Sequence, residues 1–548
     1  MNEQAAHPSV EIRVDVASQA PLRRIWRYVG YDEPNYTYTE NGRELLAKLG
    51  RMQDGPYYIR CHFLLCSGNG SGEPKWGSTN VYTEDEAGRP AFDWHIIDRI
   101  FDTIIECGCT PFVELGFVPE ALTSAPPGTP YMGATAEGWR YPPRDYGRWM
   151  ELIRALAAHC LARYGLREVS CWYWELWNEP DIFYWRGTVE AYCRLYDYTV
   201  AALVSVLPQA KVGGPGTTSP GNENAGAFLR DFLAHCTGEE NAVTGEMGTR
   251  LDFISFHTKG GGYGREPGAP KKTPTLHTLM RHVAAGLEIV AGFPALRQHE
   301  VILSECDPDG WAAGSIRENP NLFYRNTEYY ASYVASAACQ LLAAGHPQGP
   351  RVDGMLTWAF QFEDREAFAG LRTLSTQGVD KPILSVFRLL ATMGGAMVDL
   401  TSNGARDPVA QGRGDLPGDP PNVSGIASVD ALGILRLFLV SHHDDWDVEG
   451  LTELRVRIAG LDKDTRYEAK QIRIDGDHAN AHTTWTHLGK PAWPSEAQLV
   501  RLREASRLRS TPLDQIETED GLLSLSLTLP THGICLVELQ PVWQPSEI

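Results

Sequence analysis

From residue 24 to about residue 398, short apolar runs alternate with longer stretches in which apolar residues recur every three or four positions. The apolar runs Ile25–Gly30, Tyr57–Leu65, Pro111–Val118, Val169–Trp177, Lys211–Gly214, Leu251–His257, Glu300–Ser304 and Val352–Phe360 have the length and continuity of strands buried on both faces. Between them lie helical patterns near Asn41–Leu49, Trp94–Cys107, Asp145–Tyr164, Asn224–Cys236, Leu276–Val290, Tyr324–Ala344 and Ile383–Met393. A further one starts at Thr188 and carries Tyr192, Leu195, Thr199, Ala202 and Val206 along one face. Eight strand–helix alternations predict a closed parallel barrel of the TIM type, (β/α)8. The competing open, doubly wound sheet usually carries a Gly-rich phosphate turn after its first strand, and none follows Gly30.

The pattern changes near Leu400. Asn403 to Gly425 is rich in Gly, Pro and Asp and reads as a long loop, after which period-two alternation takes over, as in Leu523, Leu525, Leu527 and Leu529. This predicts a C-terminal antiparallel β-sandwich, interrupted by one helix over Ser495–Arg507. The expected organisation is an N-terminal strand in residues 1–23, with Val10–Val16 joining the sandwich, a barrel over 24–400 and the sandwich over 401–548.

Composition narrows the partners. A net charge of −20 over 548 residues excludes extended binding to nucleic acid or anionic membrane, which needs a basic surface. No apolar run is long enough to span a bilayer, and the polar start of the chain lacks a signal peptide, so a cytoplasmic location is expected. Eleven cysteines are scattered without framework or zinc spacing and read as small core residues in a reducing compartment. No cofactor or catalytic metal is expected.

Two strand ends carry candidate chemistry. In Trp174-Glu175-Leu176-Trp177-Asn178-Glu179-Pro180, the proline ends the fourth strand and delivers Asn178 and Glu179 to the barrel rim, where barrel enzymes do their chemistry. In Val301-Ile302-Leu303-Ser304-Glu305-Cys306-Asp307-Pro308 the seventh strand delivers Glu305 in the same way. Either glutamate alone could be a capping or ion-paired residue. Together they face one another across the mouth, and two carboxyls about 5–5.5 Å apart are what a retaining glycosidase uses.

These two stretches resemble glycoside hydrolase family 39, which contains β-xylosidases and α-L-iduronidases. So do Tyr58–Leu65, Phe112–Phe117, Phe253–Gly260 and Leu356–Phe360, and the resemblance extends over essentially the whole chain. It implies Glu179 as general acid/base, Glu305 as nucleophile and Asn178 as a contact to the sugar 2-hydroxyl. His62 and His257 end strands two and six; singly each could be structural, and the resemblance favours contacts to sugar hydroxyls. Glu114 ends strand three and either orients a neighbour or touches sugar. Trp358, at the end of strand eight, is either a stacking wall for a sugar ring or barrel packing. Lys259 and Arg372 look like the cations with which the iduronidase branch holds a uronate carboxylate, or they pair with a carboxylate such as Glu363 or Asp364. The favoured activity is exo-release of xylose from β-1,4-xylooligosaccharides. Alternatives are the same machinery acting on another pentose or a uronic acid, and a non-catalytic carbohydrate-binding barrel.

Overall fold

The computed structural model describes residues 7–68, 78–131, 136–344, 349–463, 465–513 and 516–542. Residues 1–6 of the N-terminal segment and 543–548 of the C-terminal one lie outside them.

Eight strands close into a barrel: Tyr28–Tyr31, Tyr58–Cys61, Thr110–Leu115, Tyr173–Leu176, Lys211–Thr217, Phe253–Lys259, Glu300–Asp307 and Val352–Trp358. All their pairings are parallel. This is the expected TIM-type fold. Several of the helices between them start on hydroxyl or carboxylate caps; Thr188 accepts the Ala191 N–H and Asp145 the Arg148 N–H. At the lower end of the barrel, Tyr28, Phe112, Tyr173, Phe253, Ile302 and Leu356 fill the interior. One layer towards the strands' C-terminal ends, the filling changes to charge: Arg60, Glu114 and Glu175 are all 0% exposed.

Several expected strands are shorter than their apolar runs, strands two and four most of all. Strand four is only Tyr173–Leu176, because Leu166–Val169 turns into a short helix, and strand two stops at Cys61. An apolar run does not distinguish a buried strand from the buried turn that leads into it.

The rest of the chain forms one curled, mostly antiparallel sheet of ten strands. The hydrogen bonding is continuous through nine of them, and the sheet curls over its own core. Ala396–Ser402 already belongs to it. Val10–Pro21 lies between Ala396–Ser402, which it pairs antiparallel, and Leu451–Ala459, which it pairs in parallel. Ile12, Val14, Val456 and Leu525 share the sheet's core. A helical insert leaves the sheet, with helices Ala481–His487 and Glu496–Ala505, the latter capped by a Ser495–Gln498 box. Its Trp485 and Leu502 pack on Phe368 beyond strand eight. Among the described residues no helix is long and apolar enough to cross a membrane.

Candidate active site

The backbone at both glutamates departs from regular strand. Trp177 and Glu179 have φ of 70° and 44°, a left-handed conformation that costs an L-residue roughly 1–2 kcal/mol. It is held by the Glu179 N–H, which donates to the Gly216 carbonyl at 2.9 Å, and by the Trp177 indole, which donates to the Tyr184 carbonyl at 3.1 Å. In strand seven the register against strand six slips between Leu303 and Glu305, which places Glu305 beside His257 and Asp307 beside Lys259. Such a bulge re-aims the side chains that follow it.

The carboxyls meet around His257. One oxygen of Glu179, one of Glu305 and a ring nitrogen of His257 lie within 4.8 Å of one another. His257 Nδ1 is 2.9 Å from Glu179 Oε1 and 3.8 Å from Glu305 Oε1. Lys259 Nζ donates to Glu305 Oε2 and to Asp307 Oδ2, both at 2.7 Å. Burial disfavours a charged Glu305, yet Lys259 first, then His257 and His62, outweigh it and hold its carboxyl well below the usual range. His62 Nε2 stands 3.6 Å from Glu305 Oε1 while Nδ1 bonds Glu114 at 2.5 Å. Burial alone would lower the His62 pKa; the Glu114 carboxylate and the hydrogen bonds to Glu114 and Glu305 lift it to about 10.

A cavity of about 270 Å³ opens above this cluster, and Asn178, Glu179, His62, Glu305, Trp358 and Arg372 line it. His257, Lys259 and Glu114 stand behind those walls. Glu114 is fully buried against His62 and Arg60 and is absent from the cavity wall. Arg372 pairs with Asp307 at 3.3 Å. The partner of both Lys259 and Arg372 is thus Asp307; Glu363, the alternative read from the sequence, instead accepts from Asn41. Trp358 is 2% exposed, its ring lies 4.3 Å from that of His62, and its backbone N–H donates to Asp307.

Residues 10–514 match the model of glycosyl hydrolases family 39. The chain belongs to that family. It is similar to a beta-xylosidase of Geobacillus stearothermophilus, 26% identical over 527 residues that cover 91% of this chain and 90% of the relative. An alpha-L-iduronidase of Mus musculus is 24% identical over 575 residues, 98% of this chain and 82% of the relative. The solved structure of a monomeric beta-xylosidase from Caulobacter crescentus CB15 shares the fold, with a TM-score of 0.75 at 22% identity over 97% of this chain and 100% of that one. The protein is a glycoside hydrolase.

Within this family 39 site, sequence reasoning missed Arg60. Its guanidinium reaches Glu175 at 2.6 Å, Glu114 at 3.0 Å, Asn178 Oδ1 at 3.2 Å and Glu305 at 3.6 Å. Burial opposes its charge, and the Glu175, Glu114 and Glu305 carboxylates outweigh that. An arginine inside the apolar run Tyr58-Ile59-Arg60-Cys61 was the available signal, because a charge there must be paired. Asp32, after strand one, was also missed; burial and then Glu33 raise its pKa to about 6. Glu179, His257 and Glu305 are close enough to share a metal ion. The Lys259 ammonium already meets Glu305, however, and would repel a cation placed there.

Proposed function

We propose that the protein is a retaining β-xylosidase that releases xylose from the non-reducing end of short β-1,4-xylooligosaccharides. The observation that carries this reading is the approach of the Glu179 and Glu305 carboxyls to within 4.8 Å, with a cation bonded to only one of them. That separation suits direct attack on the sugar and is too short to admit a water between carboxyl and anomeric carbon, as inversion requires. Glu305, kept ionised by Lys259, attacks the anomeric carbon while Glu179 protonates the departing oxygen. The glycosyl–enzyme ester neutralises Glu305, and Glu179, now a base, takes a proton from the water that cleaves the ester. Arg60 donates to Asn178 Oδ1 and so leaves the amide NH2 as the end that meets the 2-hydroxyl.

The charge balance around the pocket favours a neutral sugar over a uronide. Four cations, Arg60, His62, Lys259 and Arg372, are contacted by four carboxylates, Glu114, Glu175, Glu305 and Asp307. No positive charge in that set is left over for a substrate carboxylate, and Asp32 and Glu33 add acid to the cavity wall. A panel of aryl β-D-xyloside, α-L-arabinopyranoside, β-D-glucoside and α-L-iduronide tests the reading. The xyloside should have the highest kcat/KM, and proton NMR should show the β anomer as the first sugar released. Preference for the iduronide would replace the substrate assignment, and an α anomer would replace the mechanism.

A further inference from the structure

Glu179 protonates the departing oxygen, so whatever leaves must lie on its side of the cavity. That side is built from two loops, one after strand three and one after strand four. Phe183, four residues beyond Glu179, lines the cavity and is 52% exposed. What sets Phe183 apart from the chain's other exposed apolar side chains is its place on the cavity wall, where its surroundings hold it still. Its ring stacks on Tyr184 with centroids 4.4 Å apart at 26°. The Arg140 guanidinium lies 5.1 Å from its centroid and 4.8 Å from that of Trp139. Arg140 is tied to Glu137 at 3.6 Å, Arg186 reaches the same carboxylate at 3.0 Å, and the Arg186 N–H donates to the Arg140 carbonyl at 2.9 Å. The two loops are therefore cross-bonded beneath an aromatic face that is open to solvent. Arg140 Nε is buried without a hydrogen-bond partner among the described residues.

We infer that Phe183, backed by Tyr184 and flanked by Arg140, is the binding platform for the leaving group, and that its ligand is a neutral pyranose ring attached through the scissile oxygen. The flat apolar face of such a ring matches an exposed aromatic side chain, and the guanidinium beside it supplies donors for hydroxyls at the ring's edge. The far wall, with Asp32, Glu33 and Arg372, belongs to the sugar that stays on Glu305. The inference rests on the glycosidase roles proposed above for Glu179 and Glu305, and it adds where the second sugar sits.

The test compares two leaving groups on one glycone: xylobiose, which places a sugar on the platform, and β-xylosyl fluoride, which places a single atom there. For Phe183→Ala, kcat/KM on xylobiose should fall about tenfold further than on the fluoride, the loss expected for one stacking contact. Phe183→Trp should recover most of the difference. Equal losses on both substrates would overturn the inference, because Phe183 would then only shape the cavity, and so would no loss on either. A wild-type enzyme that cleaves no xyloside would instead overturn the substrate reading. The same comparison on the glycone it does cleave would still decide the role of Phe183.

Discussion

At the scale of single residues, the site is a set of opposed charges in which each neighbour fixes the protonation state of the next. Lys259 matters most for Glu305. On a substrate with no carboxylate to hold, replacing Lys259 would be expected to act only through pocket shape; its two 2.7 Å bonds to Glu305 and Asp307 give it an electrostatic part. Lys259→Met removes the largest influence holding the Glu305 pKa down. Glu305 must be ionised to attack, so as its pKa rises the acid limb of kcat/KM should move to higher pH. A pH–rate profile that keeps its acid limb would show that Lys259 does not set this ionisation. Glu305→Ala should abolish turnover on every substrate. Glu179→Ala should leave formation of the glycosyl–enzyme from aryl glycosides nearly intact and slow its hydrolysis by about 10²–10⁴-fold. A pre-steady-state burst with the ester detectable by mass spectrometry is the expected signature. Glu179 and Glu305 were legible in sequence because each stands between an apolar run and a proline, although strand four itself ends at Leu176, before Glu179, and only Pro308 directly follows its strand. Arg60 was not: three of its contacts, Glu114, Glu175 and Glu305, come from three other strands, and only closure of the barrel brings them together.

Among the elements, what the sequence disclosed was their order and kind. The eight apolar runs all became barrel strands, because a parallel strand buried on both faces has little choice of composition. Lengths were less legible. Trp172 sits in the apolar run of strand four yet precedes the strand, packed against Phe101 and Tyr164. The bulge at Ser304 is also absent from any pattern, since it depends on which residues of strand six lie opposite. Close approach between elements is legible only afterwards, and Gly30 shows why. A Cβ there would sit 2.4 Å from Trp358 Cζ3 and 2.9 Å from the Arg60 carbonyl oxygen. Strand one therefore needs glycine for the strand-eight tryptophan to lie against His62. Gly30→Ala should cost about 1–3 kcal/mol through overpacking and displace Trp358 into the cavity. A lower melting temperature together with reduced kcat/KM is expected. A variant that melts and turns over like the parent would mean that Trp358 has room to move.

On the scale of the whole molecule, barrel and sheet meet through helix Glu328–Ala343, whose Tyr329 and Ser332 face two buried histidines of the sheet. His442 Nδ1 bonds the Ser332 hydroxyl at 2.9 Å, and the His532 ring lies 5.5 Å from that of His442 and 5.1 Å from that of Tyr329. Burial, then neighbouring histidines, keeps both neutral: His442 is held well below the ordinary value and His532 at about 3. Both groups have a folded pKa below their unfolded value of about 6.5. Their stabilisation is present above pH ~6.5 and is lost as pH falls towards the folded pKa, because the unfolded chain binds protons that the folded chain refuses. Asp444, 3.9 Å from His442, acts in the opposite sense, since burial and then Asp415 raise its pKa to about 7 and the folded state gains a proton there first. Two histidines against one aspartate leave about one more proton bound by the unfolded state between pH ~4 and ~6, so this junction should lose about 1.4 kcal/mol per pH unit on acidification. His532→Phe removes one of the two histidines and cancels that slope. Relative to the parent, the variant should therefore gain stability steadily from pH 6 down to pH 4, read as the difference between two denaturation series at matched pH. Parallel series would show that His532 takes up its proton without opening the junction between barrel and sheet.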